Sequence, residues 1–67
     1  MKKDSRIAEL GFNIKVKRLR KKITQQKLAE LSKVSMETIQ KIENGKQNPS
    51  ALIVYDIAKS LDVKIDE

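Results

Sequence analysis

Drawn on a helical wheel at 100° per residue, Glu37, Gln40, Lys41 and Asn44 fall on one side, and Ile39, Ile42 and Glu43 fall on the other. The first group supplies a carboxylate acceptor, an ammonium donor and amides that both donate and accept, which suits hydrogen-bonded recognition. It does not suit bond making. The chain has no His and no Cys, no phosphate-binding loop and no paired-carboxylate cleft of useful size, so an enzyme is not expected. In the second group Glu43 is the informative residue, because a carboxylate among isoleucines needs a partner. Arg18 shares a stripe with Ile7, Leu10 and Ile14, and its guanidinium is the natural complement of Glu43.

The elements that would position these groups are short helices. Ser5 can cap the first, expected over about 6–21, and its basic end Lys17-Arg18-Leu19-Arg20-Lys21-Lys22 suits the negative end of the helix dipole. A second stripe of Phe12, Val16, Leu19 and Ile23 makes this helix apolar on two sides, so it either lies between other elements or lends one side to a partner subunit. Thr24 caps a second helix, about 25–32, with Ile23 and Leu28 as its hydrophobic staple and Leu28, Ala29 and Leu31 as its apolar side. Ser35 caps a third, about 36–43, with Val34 and Ile39 as staple, and Asn44-Gly45 ends it. After a polar loop, Asn48-Pro49 reads as cap and first helical position of a fourth helix, about 50–61, with Ser50 the other candidate cap. That helix is apolar nearly all round, and the chain ends with room for a short fifth helix from 65. No strand pattern or repeat is visible. The expected fold is all-α, one domain of four to five helices.

At 67 residues the core is small and there are no cysteines for disulfides. Nor are there thiol or imidazole ligands for a structural zinc, so neither a metal nor any other cofactor is expected. Oligomerisation is the remaining source of support. The net charge of +6, from 15 Lys and Arg against nine Asp and Glu, suits a polyanion, either nucleic acid or an anionic membrane surface. It equally suits a merely soluble protein. The basic residues are spread over several helices rather than along one amphipathic side, which argues against membrane-surface binding. No apolar run approaches the ~20 residues of a membrane span and the start lacks the apolar centre of a signal peptide, so a cytoplasmic protein is expected.

Thr24-Gln25, Leu28-Ala29, Val34-Ser35, Ile39, Ile42-Glu43-Asn44-Gly45-Lys46 and Asn48-Pro49-Ser50, with Arg18 seven residues before Gln25, resemble the helix-turn-helix of the phage repressor and Cro type, often called the XRE family. The similarity runs from about Leu10 to the end of the chain, and a set of spacings across four helices is more specific than a lone helix-turn-helix pattern. The resemblance implies a compact lambda-repressor-like domain acting as a homodimer, with the third helix in the DNA major groove and the second crossing the phosphate backbone. Carried onto matching positions, it implies that Met36, Glu37 and Lys41 face base edges with Thr38 and Gln40 close by, and that Gln25, Asn44 and Lys46 meet phosphate. It also makes Arg18 and Glu43 the family's internal ion pair. Two positions depart from the pattern, since Lys33 and Lys22 stand where members often have Gly.

The function that follows is a sequence-specific double-stranded DNA-binding transcriptional regulator, a repressor more than an activator, of the compact sort found in prophages, restriction-modification control and antitoxin operons. Phosphate contacts would set position and side chains of the third helix would read sequence. Glu37 can accept from cytosine N4, Lys41 can donate to guanine O6 and N7, Gln40 can pair with adenine, and Met36 can touch a thymine methyl. Leu52, Ile53, Tyr55 and Ile65 are the surplus apolar residues assigned to a dimer interface. A two-fold dimer requires a roughly palindromic operator with half-sites ~34 Å apart. The alternative is a helical protein–protein interaction module without specific DNA binding.

Overall fold

Three hydroxyl side chains start three of the helices. The computed structural model describes residues 5–62, arranged as α1 (Ser5–Arg20), α2 (Gln25–Ser32), α3 (Met36–Glu43) and α4 (Ala51–Ser60). Thr24 Oγ1 accepts from the Lys27 N–H at 3.0 Å, Ser35 Oγ from Thr38 N–H at 3.0 Å and Ser50 Oγ from Ile53 N–H at 3.2 Å. Each satisfies a backbone donor that the first helical turn leaves unpaired. Ser50, not Asn48, is therefore the cap of α4, and Pro49 is a buried residue just ahead of it.

The stops are equally regular. After α1 the Lys22 N–H donates to Leu19 O at 3.0 Å and Ile23 N–H to Arg18 O at 3.3 Å. After α2 the Lys33 N–H donates to Glu30 O at 3.3 Å and Val34 N–H to Ala29 O at 3.0 Å. After α3 the Gly45 N–H donates to Ile42 O and Lys46 N–H to Lys41 O, at 3.0 and 2.8 Å. All three are Schellman endings, which require one residue in the left-handed region. Gly45 takes that conformation at φ 72°, but Lys22 and Lys33 take it at φ 60° and 61° despite their β-carbons. Both departures from the glycine pattern are thus accommodated by strained lysines rather than by a different turn. The connectors Lys22-Ile23-Thr24 and Lys33-Val34-Ser35 repeat one design: a left-handed lysine, a β-branched residue packed against the core, and a hydroxyl cap.

Ile14, Leu28, Ala29, Ile39, Ile42, Ile57 and Leu61 form the buried core, with Leu10, Ile23, Val34 and Ile53 packed against it. α1 packs on α3, α3 on α2 and α2 on α4. Gly11 lies buried where α1 approaches the end of α3, and a β-carbon there would collide with the carbonyl of Ile42. On the other side of the domain the Ser32 hydroxyl donates to Ser60 Oγ at 3.0 Å, and Ser60 donates to Asp56 O at 2.9 Å, which ties α2 to α4.

Leu31 and Ile53 are placed differently from the wheel expectation. Leu31 is 47% exposed, because α2 turns Leu28, Ala29 and Ser32 inward instead. On α1 the stripe through Ile7, Leu10, Ile14 and Arg18 faces inward, whereas Phe12 and Leu19 are 62% and 54% exposed. Among the described residues α1 has only α3 as a major packing partner, so Phe12 and Leu19 of its second stripe are left exposed, while Val16 is half-buried and Ile23 reaches the core. On α4, Leu52 and Tyr55 are exposed, but Ile53 is half-buried against the core, which removes it from the set of free apolar residues. Ile65 and the expected fifth helix lie outside the described residues.

Candidate nucleic-acid interface

α3 has only eight residues, too few to hold a helix in water by itself. Its position is fixed from behind. Ile39 and Ile42 are fully buried, and Glu43 at its last turn is 7% exposed. The Glu43 carboxylate accepts from Arg18 Nε at 2.7 Å and Arg18 Nη2 at 3.2 Å, a two-pronged guanidinium–carboxylate bond. Arg18 Nη1 also donates to Ile23 O at 2.9 Å, so the same guanidinium holds the α1–α2 connector. Gln25 Nε2, at the first residue of α2, donates to Glu43 Oε1 at 3.0 Å. One carboxylate thereby joins the end of α1, the start of α2 and the end of α3. No buried side-chain polar atom among the described residues lacks a hydrogen-bond partner.

The outward side of α3 is polar. Glu37 and Lys41 are exposed and face each other one turn apart, with Lys41 Nζ 3.4 Å from Glu37 Oε2. So exposed a pair contributes little to stability. Its effect is electrostatic, since the Lys41 ammonium offsets the Glu37 carboxylate on the outward side of α3. Met36, the first residue of α3, is 43% exposed. Gln40 is half-buried beside them, and Thr38 is half-buried with its hydroxyl 2.8 Å from Ser35 Oγ, within the cap itself. Asn44 and Lys46 are exposed in the turn that follows α3.

The structure therefore brings Met36, Glu37 and Lys41 onto one exposed side and leaves Thr38 occupied in capping. Gln25 is half-buried and carries a role absent from the sequence reading, its amide bond to Glu43. Gln25 and Glu43 lie on different helices, so periodicity within one element does not relate them and only the fold could show that contact. Gly11 was also missed, although a lone glycine inside a helical pattern is itself a mark of close backbone approach.

A two-helix unit with a three-residue connector, whose second helix shows a hydrogen-bonding side outward and is braced on a buried core, is the architecture of a helix-turn-helix. Residues 14–67 match the model of a family described as helix-turn-helix. The chain belongs to that family, in its phage repressor and Cro (XRE) branch, a branch of DNA-binding transcriptional regulators. It is 41% identical over 54 residues to an uncharacterized HTH-type transcriptional regulator of Archaeoglobus fulgidus, covering 81% of this chain and 76% of the relative. It is 41% identical over 59 residues to an uncharacterized transcriptional regulator in the ATPase CF(0) region of Rhodospirillum rubrum, covering 88% of this chain but only 55% of that relative's length. In structure it is similar to the restriction-modification controller protein C.AhdI from Aeromonas hydrophila, with a TM-score of 0.87, 25% identity, and 90% and 87% of the two chains covered.

Proposed function

We propose that this chain is a sequence-specific regulator of transcription that binds double-stranded DNA as a homodimer, more a repressor than an activator, and that it performs no catalysis. It acts in the cytoplasm, where its DNA is. The observation that carries the reading is the exposed, polar side of α3 on a helix whose opposite side is anchored by Ile39, Ile42 and the Glu43 network. Met36, Glu37 and Lys41 enter the major groove, with Gln40 beside them and Thr38 acting through its cap. Lys41 suits guanine O6 and N7, Glu37 suits cytosine N4, and Met36 suits a thymine methyl. Gln25, Asn44 and Lys46 set the position against phosphates, Gln25 from the start of α2.

Leu52 and Tyr55, 70% and 52% exposed on α4, form the dimer contact and pair two α3 helices on a roughly palindromic operator. Selection of bound duplexes from a random pool, at a stated salt concentration, is expected to enrich a symmetric motif with half-sites one helical turn apart. Failure to enrich any motif would favour a protein–protein interaction module instead. In sedimentation, the wild type is expected to dimerise at micromolar concentration and Leu52→Ser/Tyr55→Ser to remain monomeric. A monomeric wild type would refute the dimer.

A further inference from the structure

We infer that the outer side of α1 is a docking surface for a partner protein, and that its occupant is an acidic amphipathic helix. Phe12 and Leu19 are among the most exposed large apolar residues of the domain, at 62% and 54%, and Val16 lies between them half-buried. At 100° per residue these three fall within about 60° of one another, in one stripe. Gly11, Ile14 and Arg18, which face α3, lie on nearly the opposite side of the same helix. α1 therefore stands between the stripe and α3, whose exposed side points further away still. A partner seated on Phe12 and Leu19 leaves Glu37 and Lys41 free.

Charge selects the occupant. Lys15 sits beside the stripe, three residues after Phe12 and four before Leu19. Arg20 flanks the other side, one turn after Val16, and Lys22 lies at its foot. All three are exposed, and none makes an ion pair among the described residues. Glu9 is the single carboxylate of α1. Apolar residues rimmed by unpaired cations complement a helix carrying an apolar stripe with Asp and Glu on its flanks. Nucleic acid would neutralise the cations but leave Phe12 and Leu19 in water. A second copy of this chain, itself at +6, would bring one cationic rim against another.

The test uses three labelled 20-residue peptides and the full chain, with binding read by fluorescence anisotropy. The first peptide has a Leu stripe flanked by Glu, the second has the same stripe flanked by Lys, and the third has Glu flanks with the stripe changed to Ser. The wild type is expected to bind the first at least tenfold more tightly than either of the others. Phe12→Ser/Leu19→Ser should weaken that binding at least tenfold with an unchanged melting temperature, because both residues are exposed. Lys15→Glu/Arg20→Glu should reverse the preference between Glu and Lys flanks. Equal binding by wild type and Phe12→Ser/Leu19→Ser would overturn the proposal by reducing it to attraction between net charges. So would self-association of the wild type abolished by the same variant, which assigns the stripe to a second copy. Binding to phosphatidylglycerol vesicles that the variant loses, without discrimination among the peptides, would assign it to a membrane.

Discussion

Replacing Glu43 by Ala would remove the acceptor at the centre of the polar network and leave Arg18 charged with a side chain only 9% exposed. The carboxylate receives three hydrogen bonds, two from Arg18 and one from Gln25. Breaking a buried ion pair by deleting one member typically costs about 3–5 kcal/mol, because the surviving charge is uncompensated. A domain of 67 residues has a total stability of roughly 3–10 kcal/mol. The variant is therefore expected to lose a large part of that stability and to melt roughly 12–40 °C lower, at about 4–8 °C per kcal/mol.

The assay is a double-mutant cycle read by thermal and urea denaturation. Arg18→Met/Glu43→Leu replaces both charges by apolar groups of similar length. It forfeits the bonds from Arg18 Nη1 to Ile23 O and from Gln25 Nε2 to Glu43, worth about 1 kcal/mol each, but leaves no buried charge unpaired. The double variant should thus lie within about 2 kcal/mol of the wild type, and the coupling energy should exceed about 2 kcal/mol. Affinity of Glu43→Ala for its selected duplex, corrected for the folded fraction, should fall no more than its stability does. An unchanged melting temperature for Glu43→Ala, or purely additive single effects, would refute the reasoning.

Lys33→Gly should stabilise the domain by about 0.5–1 kcal/mol, since it relieves a left-handed residue at φ 61° at the smaller cost of added freedom in the unfolded chain; a lower melting temperature would refute this. Gly11→Ala should destabilise by about 1–3 kcal/mol, through the collision of its β-carbon with the Ile42 carbonyl at the back of α3, and urea denaturation measures it. Lys41→Ala should leave the unfolding free energy within about 0.5 kcal/mol of wild type, because its pair with Glu37 is exposed, yet change base preference across a panel of operator variants. Identical preference before and after that substitution would exclude Lys41 from base reading.

The relation between Arg18 and Glu43 was legible because each breaks the apolar pattern of its own helix, and two opposite charges on inward stripes of neighbouring helices have few other solutions. Starts and stops of helices were legible for a similar reason: Thr24, Ser35 and Gly45 act on backbone groups within four residues. Helix 4 was harder, because a pattern apolar on every side does not say which residues have neighbours. Leu52 and Ile53 are adjacent and chemically alike, yet one is 70% exposed and the other packs on the core. Phe12 and Leu19 of the second α1 stripe share regular helical spacing and still face solvent. Periodicity reports which residues share a side, whereas burial depends on how many elements arrive to cover it.

α3 obtains its pose wholly from contacts outside itself, and this has a consequence for how its two sides can change. Its start is held by the Ser35 hydroxyl, its middle by Ile39 and Ile42, its last turn by Glu43 and its end by the left-handed Gly45. All of these lie behind or at the tips of the helix. The side chains of Glu37 and Lys41 are exposed and pair with each other, so substitutions there change the outward groups of α3 without removing any of these anchors. Inner residues have no such independence: a change at Ile42 or Glu43 shifts every outward side chain together. Gln25 links the two roles, because the side chain assigned to a phosphate also donates to Glu43. On the proposed function, seating on DNA and bracing of α3 would pass through one amide, and a change at Gln25 should alter position on the duplex before it alters which bases are preferred.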